Sequence, residues 1–222
     1  MARSKTRKTG AIAPQQKRSR ESYERMISAT QRLLESQRSA SFSVADVSRE
    51  SGVSVGGIYG RFHDRESLVR EVQRRVNEQM EAEFAVLING LEASAVDLPS
   101  LVVRVTAVHA EHLRSRAPIL RALMEASLTD EAIAAEGFRT YAHANDRVKG
   151  LLLRFRREIR HPNPGHAIDF WFSCNFEVVA SFLGFGRRRS SAATSWPRLV
   201  RDLQNLSVAY LTTPPAKGRA AG

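Results

Sequence analysis

The sequence predicts an all-α protein of about nine helices, divided into a small N-terminal module and a larger C-terminal one. Three observations carry that prediction. Apolar residues recur at three- and four-residue spacing along most of the 222 residues, the spacing of one helix face. Strand signals are nearly absent, with no long apolar–polar alternation and no Asn-Gly or Asp-Gly between β-branched runs. Pro99, Pro118, Pro162, Pro164 and Pro197 separate helical runs, as expected of a residue tolerated in a first helical turn and excluded from a helix interior.

Residues 1–17 are the N-terminal part of a basic stretch rich in Ser, Thr, Gly and Ala, with too few large apolar residues to fold alone. They are expected to be a disordered basic arm. Tyr23, Met26, Ile27, Thr30, Leu33 and Leu34 then form the apolar stripe of a first helix. From Phe42 the signals become dense. Ser43 followed by Asp46 is a variant capping box, with Phe42 and Val47 flanking it where a hydrophobic staple belongs. Gly52 ends this helix, since a left-handed C-terminal residue favours glycine. Ser54 caps the next helix almost at once, with Val53 and Ile58 placed for a second staple. Helix, short glycine-containing turn and second short helix make a helix-turn-helix, and residues 18–65 are read as that domain.

Leu68, Val72, Val76, Met80, Phe84, Leu87 and Leu91 predict a long following helix of about six turns. Further helical runs cover about 99–116, 118–128, 130–158, 166–184 and 197–212, so that 66–212 forms one helical module. Residues 213–222, rich in Pro, Gly and Ala, are expected to be a disordered tail.

The formal charge is +11, from 34 Lys and Arg against 23 Asp and Glu. Its location matters more than its size. Residues 1–20 hold seven cations and no acid, whereas residues 21–70 hold seven Arg and seven acids. The basic stretch therefore fits an arm following nucleic-acid phosphates, and it equally fits a solubilising end. Recognition in the neutral helix-turn-helix must come from placed residues. The single cysteine, Cys174, excludes an internal disulfide framework and a Cys-based zinc cage. The N-terminus lacks the apolar run of a secretory signal, and Ile168–Phe185, the most apolar stretch, carries Asp169 and Glu177. A soluble, cytoplasmic chain is expected. No Gly-x-Gly-x-x-Gly, Walker-type loop or Gly-x-Ser-x-Gly elbow occurs, so neither cofactor nor enzymatic activity is expected.

The run Ser43-Val-Ala-Asp-Val-Ser-Arg-Glu-Ser-Gly-Val-Ser-Val-Gly-Gly-Ile-Tyr-Gly-Arg-Phe-His-Asp-Arg-Glu-Ser-Leu68 resembles the DNA-binding segment of the TetR (tetracycline-repressor-like) transcription regulators. The matching positions are Ser43, Val47, Gly52, Val53, Ser54, Gly56, Ile58, Tyr59, Phe62 and Leu68. The resemblance implies that Ser43 and Tyr59 bond phosphates, and that Ser54, Val55, Gly56 and Gly57 lie nearest the base edges. It implies that Asp64 caps the following helix and that Arg65, where the family usually has Lys, contacts a phosphate. Lys17, Arg18 and Arg61 join the DNA-binding set as basic neighbours. Two departures stand out: Val55 and Gly57 occupy positions that are commonly polar, or Thr, Ser or Ala. Few side chains remain to read bases by hydrogen bond, which leaves Val55 to touch a thymine methyl and gives DNA shape a larger part.

Beyond residue 90 the resemblance rests on length and helical character. It implies a homodimer joined through the last two helices, for which Phe176, Val179, Phe182, Leu183, Leu199, Leu203, Leu206 and Tyr210 are the candidates. It also implies a pocket for a small effector among the middle helices. His109, Leu113, Leu123, Phe138, Tyr141, Trp171, Phe172 and Asn175 are its candidate lining, although apolar walls with a few polar groups also describe a plain helical core. His109-x-x-His112 has no third ligand nearby in sequence, so no metal site is expected. The expected function is a sequence-specific, double-stranded-DNA-binding regulator, a repressor released from a palindromic operator by a small molecule. The alternative is a ligand-independent architectural DNA binder.

Overall fold

Ser43 starts its helix by the reciprocal device that its spacing predicts. Its hydroxyl accepts from the Asp46 amide at 3.2 Å, and its own amide donates to Asp46 Oδ2 at 2.8 Å. The computed structural model describes residues 12–37, 42–185 and 194–214, excepting the side chains of 12–16. Among these, nine helices and no strand are found: α1 (Ile12–Gln37), α2 (Val44–Ser51), α3 (Val55–Tyr59), α4 (Arg65–Glu92), α5 (Leu98–Ser115), α6 (Ala117–Ala126), α7 (Glu131–Leu153), α8 (Pro164–Leu183) and α9 (Trp196–Thr212). The contacts divide the chain into two units, Met1–Gln73 and Arg74–Gly222.

In the first unit α1 packs on α2, and α2 on α3. Met26, Ile27, Leu34, Phe42, Val47, Ile58, Phe62, Leu68 and Val72 are buried. Gly52, at φ 67°, ends α2 in the left-handed conformation, and its amide donates to the Ser48 carbonyl. The Ser54 hydroxyl accepts from the Gly57 amide at 3.1 Å and so opens α3 two residues later. Asp64 and Ser67 repeat the reciprocal cap: the Ser67 amide donates to Asp64 Oδ1 at 2.7 Å and the Asp64 amide to Ser67 Oγ at 3.1 Å. These bonds hold the Asp64 carboxyl below its usual pKa. Arg25 Nε donates to the Ser51 carbonyl at 3.1 Å, fastening α1 to the end of α2.

Two boundaries differ from the sequence reading. Helix α1 already begins at Ile12, so 12–17 are helical and not part of an arm; Pro14 falls in its first turn, where the missing amide breaks no intrahelical bond. The first unit ends at Gln73 and not at 65, because the opening turns of α4 belong to it. Leu68, Val69 and Val72 are buried, and Glu71 accepts a hydrogen bond from Tyr23 of α1. The arm up to residue 11 and the tail from 215 lie outside the described residues.

In the second unit α9 packs mainly on α5, with α8 beside both and α7 against α8. Leu98, Leu101, Val102, Val105, Leu152, Ile168, Trp171, Phe172 and Leu211 form the centre of its core. The run expected to be helical to 158 stops at Leu153. The turns that follow direct Glu158 to accept from the Leu98 amide at 2.9 Å, and the Arg160 amide to donate to the Leu211 carbonyl at 2.8 Å. A straight continuation would forfeit both bonds and the burial of Ile159.

Candidate nucleic-acid interface

Five residues are too few for an independently stable helix, so α3 depends on its anchors. Ile58 is buried at 1% exposure and Phe62, just beyond the helix, at 8%. Burial of each such side chain contributes roughly 1.5–3 kcal/mol. The opposite face looks outward. Val55 is 40% exposed and Tyr59 54% exposed, and Gly56 lies beside them on the surface. No ionisable side chain is present between Val55 and Ile58, so this face meets its surroundings with apolar groups, backbone and the Tyr59 phenol.

Cations flank α3. Arg61 donates to the Ser19 hydroxyl of α1, and its guanidinium lies 5.9 Å from the Tyr23 ring centroid. Tyr23 in turn stacks on Phe62, with centroids 5.8 Å apart. This chain of contacts brings the exposed Lys17, Arg18, Ser19 and Arg20 of α1 to the end of α3. Sequence reasoning placed Tyr23 on the apolar stripe of the first helix and did not single out Ser19; the i, i+4 spacing of the pair was the available signal.

A second cluster joins Ser43 to Arg65. The Arg65 guanidinium stands 5.4 Å from the centroid of Phe42 and pairs with Glu66 at 2.8 Å. The Ser43 hydroxyl donates to Asp46 Oδ2 at 2.6 Å, and Asp46 also pairs with Arg49. Both bonds from Ser43 keep the Asp46 carboxyl below its ordinary pKa, with Arg49 adding to the effect. A phosphate contact from Ser43 therefore requires its hydroxyl to turn away from Asp46. Ser54, Val55, Gly56, Gly57, Tyr59 and Arg61 all lie exposed on one continuous segment.

The candidate effector lining separates into different environments. His109 is buried, stacks on Phe172 at 4.6 Å and lies 5.8 Å from Phe84. Burial, reinforced by the nearby His112, pushes its pKa down to about 3. Leu113, Leu123, Trp171 and Phe172 are buried. Tyr141 packs at 5.4 Å from Phe172 and 5.1 Å from Phe176. Phe138 is 71% exposed and touches Tyr141 from outside. Asn175 donates to the Trp171 carbonyl at 2.9 Å and to Ser207 Oγ at 3.4 Å, while Thr106 donates to Ser207 from α5. It thus ties α8 to α9. A shallow groove exists elsewhere, between Pro99, Val103 and Arg104 of α5 and Asn205 and Val208 of α9, and contains none of the predicted lining.

The candidate dimer residues also divide. Val179 and Leu203 are buried within the unit; Phe176, Phe182, Leu183, Leu199 and Tyr210 are partly covered; Leu206 is exposed. The outward stripe of α8 is instead Phe170, Cys174 and Val178, all exposed. Their four-residue spacing is visible in the sequence, but an all-round apolar helix hides which stripe faces out. Phe170 lies 5.7 Å from the Tyr210 ring, joining this stripe to that of α9. Among the described residues no helix is long and apolar enough to cross a membrane.

Residues 26–72 match the family model for bacterial regulatory proteins of the tetR family. A comparison with curated proteins returned no match. Among solved structures, the chain resembles a protein assigned to the TetR-family transcriptional regulators of Mesorhizobium loti, at TM-score 0.66 and 19% identity over 87% of this chain and 96% of that one. A TetR-family assignment from Rhodococcus sp. gives TM-score 0.64 at 16% identity, covering 87% and 100%. The fatty acid degradation regulator FadR from Bacillus halodurans gives 0.59 at 16%, covering 84% and 97%.

Proposed function

We propose that this chain, whose residues 26–72 belong to the tetR family of bacterial regulatory proteins and whose fold is the TetR-family fold, binds a palindromic operator as a homodimer and represses transcription until a small molecule releases it. The observation that carries the DNA-binding part is the exposed Val55–Gly56–Tyr59 face of an α3 anchored by Ile58, with the cations of α1 and Arg61 beside it. One short helix reads only a few base pairs. Two copies, with reading helices about 34–36 Å apart, would read successive major grooves.

The exposed stripe of Phe170, Cys174, Val178, Leu206 and Tyr210 supports self-association, since apolar groups clustered on a surface favour a partner. A second copy is the occupant that closes a symmetric contact. The effector part rests on the aromatic group of His109, Tyr141, Phe172 and Phe176 with Phe138 outside it. A ligand entering there has to displace or spread these rings. Any ligand that favours a dimer with differently spaced reading helices must be bound less tightly by the DNA-bound form, in the same ratio. The close packing of His109 on Phe172 also favours a second reading, a DNA binder without effector.

Selection of bound fragments from random duplex DNA by the purified full-length protein tests both. A palindromic consensus with two protomers per site is expected, and selected DNA without symmetry would overturn the dimeric reading. Release of that DNA by a small molecule from an apolar ligand panel supports the effector; insensitivity to the whole panel favours the ligand-independent binder. Removing residues 1–11 should weaken binding and leave its sequence preference intact. Loss of all binding would make the arm the main contact, as the architectural reading requires.

A further inference from the structure

The groove between α5 and α9 has a volume of about 580 Å³, a size ordinary for a small-molecule site. Its apolar walls are Pro99, Val103, Val208 and Ala209, and its polar side chains are Ser100, Arg104 and Asn205. Thr106 and Ser207 are buried where the two helices touch, at 3.4 Å, whereas the groove residues are half-buried or exposed, so the groove opens to solvent. Arg104 is the cation of this lining. Its guanidinium donates to the Ser94 carbonyl at 3.3 Å and to Ser94 Oγ at 2.9 Å. Both acceptors are neutral, and among the described residues no carboxylate pairs with Arg104. A guanidinium carries five N–H donors in a planar fork that matches a carboxylate. Ser94 engages two of them and leaves the others available. Asp97, at the other end of this stretch of α5, directs its charge to its own helix start: the Ser100 hydroxyl and amide both donate to Asp97 Oδ1, at 2.6 and 2.8 Å.

We propose that this groove is a binding site for an organic carboxylate with an apolar body, its carboxylate on Arg104 and its body along Val103, Val208 and Ala209. The site is separate from the aromatic group of His109, Tyr141 and Phe172 and does not depend on the DNA-binding reading. Apolar walls favour burial of a hydrocarbon surface, and a guanidinium without a carboxylate beside them selects the sign of the attached charge. A neutral molecule of the same shape forgoes the charged hydrogen bonds, and an ammonium meets a like charge. The exposed Asn205 amide adds a neutral donor at the same groove.

The experiment titrates the full-length protein with octanoate, octanol and octylamine, following binding by calorimetry and its position by methyl and aromatic NMR shifts. Octanoate is expected to bind saturably and to shift the Val103 and Val208 methyls, with the alcohol and the amine at least tenfold weaker. Arg104→Gln should weaken octanoate at least tenfold and leave octanol unchanged, while Arg104→Lys should recover part of the octanoate affinity. Ala209→Trp, at an exposed position, should fill the groove and abolish binding with melting unchanged, so it carries the test even where Arg104→Gln lowers stability. No saturable octanoate binding, equal affinity for octanoate and octanol, or octanoate binding that survives Ala209→Trp would each overturn the proposal. Shifts confined to the Tyr141 and Phe172 rings would overturn it too, by moving the ligand to the aromatic group, and would leave the effector reading intact.

Discussion

Leu203 and Leu206 are three residues apart on α9 and stand in opposite environments: Leu203 is 7% exposed and Leu206 66% exposed. Leu203 shares its inward direction with Ser207 and Leu211, both buried. Gln204 fastens that side of α9 by donating to the Val103 carbonyl at 3.0 Å. One helix thus supplies both a core stripe and an outward apolar stripe.

Substitutions at these two positions should therefore separate stability from assembly. Leu203→Ala leaves a cavity and is expected to cost about 2–5 kcal/mol in denaturant unfolding. Leu206→Glu removes no buried contact within the unit, so its effect on the stability of an isolated protomer should stay within about 0.5 kcal/mol. By sedimentation it should shift the proposed dimer toward monomer. A Leu206→Glu protein that remains fully dimeric would place the interface elsewhere.

Tyr59 and Arg65 make a second contrast, now in DNA binding. Tyr59 is exposed, so Tyr59→Ala should leave melting nearly unchanged while reducing affinity for all duplex sequences, with Tyr59→Phe isolating the hydroxyl. Arg65→Ala should lower affinity and reduce the salt slope by about 0.9, the value for one phosphate contact. Arg65 also lies against Phe42 and pairs with Glu66, so its loss should carry a further stability cost of about 0.5–1 kcal/mol. An unchanged salt slope would remove Arg65 from the phosphate contacts.

The parts legible in the sequence were those set by local chemistry. Ser43, Asp46, Gly52 and Ser54 determine where helices start and stop through bonds three or four residues long, and the structure contains those bonds. Which side of an apolar helix faces inward depends on long-range packing. In α8, Val179 is buried and its neighbour Val178 is exposed, although both are valine. Asn175 likewise has the composition of a pocket residue, but its partners Trp171 and Ser207 turn it into a bond between helices. The end of α7 was hidden for the same reason, since Glu158 acts at a distance of 60 residues in sequence.

Ser43 tests the local part quantitatively. Its hydroxyl serves the Asp46 amide, so Ser43→Ala should cost about 1 kcal/mol of stability, typical of a lost helix cap. Ser43→Asp should retain the acceptor and bring a second carboxylate to a helix start beside Asp46, giving a partial rescue of stability. The same substitution places negative charge where the resemblance puts a phosphate, and should lower DNA affinity more than Ser43→Ala does. Equal DNA affinity of both variants would confine Ser43 to its capping role.

His109 gives a prediction in pH. Its ring lies against Phe172, 4.6 Å between centroids, and burial holds its folded pKa near 3 against an ordinary value of 6.5. The unfolded chain therefore takes up a proton over an interval in which the folded chain does not, and protonation favours unfolding. The folded state keeps its full stability above about pH 6.5 and loses it progressively as the pH falls, by about 2 kcal/mol at pH 5. His112, also lowered chiefly by burial, acts in the same direction. Urea unfolding at pH 7 and pH 5 measures the difference, and His109→Phe should remove most of it while keeping the aromatic contact. If that variant shows the same loss of stability between the two pH values as wild type, acid sensitivity arises from other groups and the burial of a neutral His109 is not its cause.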